Sequence, residues 1–347
     1  MRRTLLFVIL LSSALHSAAQ VPPGNQWIDY SLQYWKFSIV ADGLYRIDST
    51  ALADAGFPIT TIDPQELMVF GREQQVPIYI EDGGDGVLNG ADFIEFQAKK
   101  NDGWLDAQLY AQPSFQPNPY YSLYNDTINY FITWSATAQK ERVVPYVNTD
   151  FAGHTPRRWY WGETISSLTG IYRMGYNQPN GVAVTSGFYV EGEGRLHQAA
   201  ITSNSPNGAS QPHTILTPRA YQGPDAPDAR VSTAVASLNY QTANNLLDHH
   251  SVISYGPAPG TEMVDSIFNG VHTIKADFDV PASALGANLV INYKVPHDLY
   301  MLGFLSDSNY TDYQDVSNTR IRYAKEMHMY AQGSMNMWIP QDPSDPI

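Results

Sequence analysis

Short runs in which apolar and polar residues alternate recur along this chain, each closed by Gly, Pro, Asn or Asp. A period of two is what a half-buried β-strand requires. Trp35 to Asp48 alternates on both sides of Asp42-Gly43, a dipeptide suited to the positive φ angles of a tight primed turn, and so predicts a hairpin. Ser49 to Ala55 predicts one short helix, capped by Asp48 or Ser49 and stopped by Gly56 with Pro58 behind it. Leu67 to Phe70 and Val76 to Ile80 flank a polar turn as a second strand pair, and Pro77 places the later strand at a sheet edge. Asp92 to Phe96 and Thr127 to Trp134 continue the pattern.

Beyond residue 150, Trp159 to Tyr176, Ser186 to Gly192, Ser251 to Tyr255, Gly270 to Val280, Asn288 to Val295 and Thr319 to Tyr323 are further strand candidates. Asn204 to Asp228 is polar and Pro-rich and predicts a long surface loop. The fold class that follows is all-β: two antiparallel β-domains, the second a jelly-roll-like sandwich, with a few short helices. The boundaries expected are 1–19 for a signal peptide, 20–150 for the first domain, 151–335 for the sandwich and 336–347 for a linker. Pro340-Gln341-Asp342-Pro343 within that last stretch has linker composition, and the expectation is that the chain is cut there, ahead of a further domain.

Composition narrows the function. Charged residues make up 16% of the 347, below the roughly 25% of ordinary soluble domains, which disfavours surface helices. The net charge of −14 repels phosphate backbones and anionic lipid, which makes nucleic acid and the membrane surface poor partners, and no nucleic acid is expected. There is no cysteine, hence no disulfide and no thiol nucleophile. Arg2-Arg3, the apolar run Leu5 to Leu11 and the small residues Ser17-Ala18-Ala19 have the order of a secretory signal cut after Ala19, and that apolar run is too short for a transmembrane helix. The protein is expected to be exported, to the cell surface or the medium.

One polar cluster has the chemistry of a cation site. Asp82, Asp85, Asn89 and Asp92 place four oxygen donors in an eleven-residue, glycine-bent loop, and calcium takes six to eight oxygens from such loops. The spacing lacks the alternating acidic rhythm and closing Glu of an EF-hand, and the same residues serve equally to cap their own backbone. Calcium binding there is an expectation to be tested. His249-His250 are neighbours whose side chains diverge on a strand, so one metal cannot easily take both. No G-x-S-x-G elbow exists, and Thr185-Ser186-Gly187 opens a strand candidate. Glu191 with Glu193, and Asp277 with Asp279, share strand faces as paired carboxylates, a spacing also routine for a solvated face. Trp104, Trp159, Tyr160 and Trp161 are aromatic candidates for stacking on sugars.

A series of residues carries a family resemblance: Trp27-Ile28-Asp29-Tyr30, Asp42-Gly43-Leu44-Tyr45-Arg46-Ile47, Asp92-Phe93-Ile94-Glu95-Phe96 with Asn101-Asp102-Gly103, Asn118 to Thr127, and Tyr130-Phe131-Ile132-Thr133-Trp134. This order resembles the N-terminal region of the PorU-like, gingipain-type cysteine endopeptidases of Bacteroidetes, which include sortases of the type IX secretion system. The match is most specific over Gln26 to Ser135 and thins beyond, where Phe268-Asn269-Gly270 and Asp312 to Tyr323 still look like the family's β-rich segment. The resemblance implies a non-catalytic pair of β-modules whose partner is the C-terminal peptidase domain of the same parent protein, with other secretion-system or cell-surface proteins as further partners. Lacking Cys, this chain carries no catalytic residue of the family. The competing reading is a free-standing surface module that binds glycan or protein.

Overall fold

The structure is a computed structural model and describes residues 24–143, 153, 155, 157–174, 187–239, 246–306 and 308–327. The signal peptide 1–19, the linker 336–347 and the pair Thr185-Ser186 lie outside the described residues. Among the described residues, the protein is nearly all β, built of antiparallel sheets with one short α-helix and no barrel. Two compact units divide the chain: unit 1 is Met1–Asn101 with Asp126–Thr149, and unit 2 is Asp102–Asn125 with Asp150–Ile347.

Unit 1 runs β1 (Trp35–Ile39), β2 (Gly43–Asp48), α1 (Ser49–Asp54), β3 (Leu67–Gly71), β4 (Gln74–Val76), β5 (Ile78–Glu81), β6 (Phe93–Ala98) and β7 (Ile128–Trp134). One sheet has the order β1-β7-β3-β4 and the other β2-β6-β5. Both bury one face in a shared core, with Ile39, Val69 and Ile132 from the first and Ile78, Ile94 and Phe96 from the second. Helix α1 is present as expected. The Asp48 carboxylate accepts from Ala51 N at 2.7 Å, Leu52 enters the core and Gly56 follows in a left-handed conformation.

The hairpin expected over Trp35 to Asp48 does not form. Strand β1 pairs with β7 and β2 with β6, so the chain changes sheets at the turn. Gly43 does not take a left-handed φ. The Asp42 carboxylate instead accepts from Lys100 N at 2.8 Å, fixing the turn to the exit of β6. The tight two-residue turn is built between β3 and β4 at Arg72 and Glu73, with φ of 52° and 63°, positions that glycine does not occupy. Pro77 lies at the third sheet change, between β4 and β5. Strands β4 and β5 on its two sides are each an edge, which is where an imide nitrogen leaves no ladder bond unmade.

Unit 2 contains β8 (Trp159–Ser167), β9 (Ile171–Met174), β10 (Glu193–Leu196), β11 (Ile201–Thr202), β12 (Ala209–Leu216), β13 (Ala229–Ser237), β14 (His249–Tyr255), β15 (Thr261–Phe268), β16 (Thr273–Val280), β17 (Asn288–Val295) and β18 (Tyr313–Glu326). A five-stranded sheet has the order β11-β18-β13-β16, with β8 paired to the later part of the long strand β18. The four-stranded sheet β12-β17-β14-β15 shares its core: Val231, Phe278 and Ile321 pack with Ile215, Ile253 and Ile291. Strands β9 and β10 make a separate pair.

Two expectations fail in this unit. The loop expected over Asn204 to Asp228 contains β12, an eight-residue edge strand in which Pro212 stands opposite Asn292. Its alternate residues are exposed, so its polar character is that of one solvated face rather than of a loop. The strand expected over Ser186 to Gly192 begins only at Glu193. Before it, Tyr189 makes an isolated bridge to Tyr110 and Phe188 is 61% exposed. Segment Asp102–Asn125 lies between the two stretches of unit 1 in the chain but belongs to unit 2. Ser317 Oγ and Asn318 Nδ2 of β18 each donate to Pro117 O at 2.8 Å, and Asn118 Nδ2 donates to Ser167 Oγ at 3.0 Å.

Candidate functional site

The acidic loop after β5 closes largely on itself. Asp82 Oδ1 accepts from Gly84 N at 2.9 Å, Asp85 Oδ1 from Val87 N at 2.9 Å, and Asp92 Oδ2 from Asn89 N at 2.8 Å. Asn89 Nδ2 donates to the other Asp85 oxygen at 3.1 Å. The loop thus brings Asp85 to Asn89 and Asp92 to the Asn89 backbone, Asp82 and Asp92 each giving one oxygen to a local N–H and Asp85 giving both. Among the described residues, no group of three or more His, Asp or Glu is placed to hold a metal ion.

The histidine pair proves to be the buried polar centre of unit 2. His249 Nδ1 lies 2.6 Å from Asp312 Oδ1, and its Nε2 lies 2.7 Å from Asn239 O. On the opposite face of β14, His250 bridges Asp298 at 2.9 Å and Asp265 at 2.8 Å. Asp312 also accepts from His250 N and Gln314 Nε2, both at 2.9 Å. Burial presses the His249 pKa down, but the Asp312 bond and the charges of Asp312 and Asp248 outweigh it and hold it above its ordinary value. Both nitrogens of each ring are engaged, so neither imidazole is poised to take a proton from a substrate. The two rings point apart, as adjacent strand residues must, and the carboxylates that receive them come from distant chain positions that no sequence spacing reveals.

The paired carboxylates are likewise engaged. Glu191 accepts from Thr273 N at 3.0 Å and meets His272 Nδ1 at 3.0 Å, while Glu193 accepts from Tyr172 OH and from Val190 N. Asp277 accepts from Ser232 Oγ, and Asp279 pairs with Arg230 at 3.1 Å.

The outer face of the five-stranded sheet carries half-buried aromatic and charged groups. Trp159 and Trp161 of β8 stand edge to face with centroids 5.2 Å apart, and the Arg322 guanidinium of β18 lies over the Trp161 ring at 4.8 Å. Glu163 takes Arg320 Nε at 2.7 Å. Aromatic composition pointed to Trp159 and Trp161, and Tyr160 between them is buried. The arginines were not singled out, because only strand register places them beside the tryptophans.

No family model matches the chain, and no curated protein matches it. Among solved structures, it is similar to dimeric latent PorU from Porphyromonas gingivalis, at 12% identity over 85% of this chain and 24% of that one, with a TM-score of 0.45. It is also similar to the CBM36-1 domain of a multidomain xylanase from the hindgut metagenome of Trinervitermes trinervoides, at 15% identity over 46% of this chain and 96% of that one, with a TM-score of 0.23. A third is BuGH86 in complex with neoagarooctaose, at 11% identity over 86% of this chain and 34% of that one, with a TM-score of 0.20. The chain therefore spans about a quarter of the length of the PorU chain it matches.

Proposed function

We propose that this chain is the non-catalytic β-module front of an exported gingipain-type cysteine peptidase or sortase linked to type IX secretion, with the nucleophile carried by a peptidase domain elsewhere in the parent protein. The observation that carries the reading is that the groups most able to do hydrolytic chemistry are already spent. The chain has no cysteine, and the buried His249 and His250 give both ring nitrogens to Asp312, Asn239, Asp298 and Asp265. Peptide hydrolysis needs an activated nucleophile with a free base, or a metal-bound water. The sequence resemblance over Gln26 to Ser135 supports the family. Export is part of the proposal, and among the described residues no helix is long and apolar enough to cross a membrane.

The experiment is incubation of the purified chain with Arg- and Lys-containing peptides. The expected result is no cleavage. Cleavage that disappears in His249→Gln or His250→Gln overturns the reading.

A second reading, a surface module that binds glycan, is favoured by the solvent-facing Trp159, Trp161 and Arg322. For the acidic loop we propose weak calcium binding, in which the cation displaces the Asn89 amide from Asp85 and draws in the second oxygens of Asp82 and Asp92. Four oxygen-bearing side chains within eleven residues support this.

A further inference from the structure

Strand register sets four ionic side chains in one row across the outer face of the five-stranded sheet. Glu163 of β8 is paired with Arg322 of β18, Arg322 with Arg230 of β13, and Arg230 with Asp279 of β16. Cross-strand partners project from the same face with Cβ atoms about 5 Å apart, and like charges directly opposite are destabilising. A row of acid, base, base and acid would be neutral if each acid took its neighbour. Only one does: Arg230 Nη1 meets Asp279 Oδ1 at 3.1 Å. Glu163 leaves its partner and joins Arg320 in the next row. Arg322 is left over the Trp161 ring, and among the described residues it has no carboxylate partner.

The middle of this face thus presents two neighbouring guanidinium groups, one of them without an acid, beside the Trp159–Trp161 pair. An unneutralised guanidinium next to another is the electrostatic complement of an anion, and the planar fork suits a carboxylate or sulfate. The indoles call for the C–H face of a sugar ring. A densely charged polymer is disfavoured, because the whole chain carries −14 and repels it everywhere else. We propose that Arg322, Arg230, Trp161 and Trp159 form a binding site for a sparsely charged acidic polysaccharide, with the sugar's anionic group on Arg322 and its ring against the indoles. The inference rests on the surface-binding reading and names its ligand class. It leaves the peptidase-front reading unaffected, since a front module can hold such a polymer.

The test is titration of the chain at low ionic strength with lightly carboxymethylated dextran, lightly sulfated dextran and neutral dextran, followed by tryptophan fluorescence and calorimetry. The expected result is binding of at least one charged polymer, weakened by added salt, with no binding of dextran. Binding of the carboxymethylated polymer alone identifies a carboxylate, and of the sulfated polymer alone a sulfate. Arg322→Gln is expected to lower affinity about tenfold and Trp161→Ala at least fivefold, while Arg322→Lys keeps part of the binding. Melting temperatures of the variants establish that the fold is intact, and an unfolded Trp161→Ala is replaced by Trp159→Ala. Failure of both charged polymers to bind overturns the proposal. Binding that Arg322→Gln leaves unchanged also overturns it. Binding of dextran alone overturns the ligand class and leaves the surface-binding reading standing.

Discussion

The two units are both antiparallel sandwiches, yet their interiors are of different kinds. In unit 1 the core is apolar and rich in aromatic rings: Trp35, Phe57 and Trp134 cluster with centroids 4.8–5.6 Å apart, and Phe37, Phe96 and Tyr130 form a second group. Among the described residues, its buried polar side chains are Ser49 and Thr133. Unit 2 buries Asp106, Asp248, His249, His250, Asp312 and Asp315 along with many Ser, Thr and Asn. Even its apolar centre is tied by polar bonds, Tyr293 OH lying 2.7 Å from Thr233 Oγ1 and 2.6 Å from Thr319 Oγ1. Unit 1 is held mainly by area removed from water, worth about 25 cal/mol per Å² and nearly independent of pH. Unit 2 depends on every buried polar group keeping its partner and its protonation state.

The largest expected effect is therefore in unit 2. Asp312→Ala strips the acceptor from His249, the His250 amide and Gln314 together. Leaving such groups buried and unpaired costs about 3–5 kcal/mol. Denaturant unfolding is expected to show that loss in the unit 2 transition with the unit 1 transition unmoved. A loss of under about 1 kcal/mol would break the contrast between the two interiors.

The next effect is a pH dependence. Burial pushes the Asp315 pKa up to about 6, against the opposing charge and hydrogen bond of Arg173, whose Nη2 lies 3.3 Å away. Because folding raises this pKa, the native state holds the proton more tightly than the unfolded chain does. The resulting stabilisation is complete below the ordinary carboxylate value near pH 4 and is lost as pH rises through about 6. Its size is about 3 kcal/mol. Asp315→Asn is expected to remove that loss and to melt higher than the parent chain at neutral pH. His249, also raised, adds in the same direction, its contribution being lost only above its ordinary pKa near 6.5. A unit 2 transition that is flat between pH 4 and 7 would count against buried ionisation as the distinguishing feature.

The smallest effect concerns unit 1, whose surface loop bears the calcium proposal. At calcium concentrations several times the dissociation constant the gain is about 1 kcal/mol. It should appear as calorimetric heat and a small rise in the unit 1 melting temperature, both absent in Asp85→Asn. No heat at millimolar calcium, and no response to chelator, would leave a loop whose carboxylates only cap their own backbone.

Strand content was legible in several stretches where one face of a strand meets water. Asn288 to Val295 appears in the structure with the bounds its pattern predicts, and α1 was legible from its cap and its stop. Strand β13 was missed because Ala229 to Ser237 is buried on nearly every residue, which erases the alternation. Strand β12 was missed for the opposite reason, being half polar and interrupted by Pro212. Of the candidate site on the outer sheet, Trp159 and Trp161 were visible as aromatic residues, whereas Arg230 and Arg322 were not.

What the sequence by itself determined is local: the β class, the short capped helix, the acidic loop and the lack of a thiol nucleophile all follow from neighbours a few residues apart. Which sheet each strand joins was decided only by the tertiary structure. Alternation specifies that a strand has an inner face but not the partner that covers it, so the Asp42-Gly43 turn could equally close a hairpin or pass the chain to another sheet. The same holds for the allotment of Asp102–Asn125 to unit 2, for the carboxylates that meet His249 and His250, and for the row that sets Arg322 beside Arg230. Each depends on residues far apart in sequence, brought together by hydrogen-bond register that no local pattern encodes.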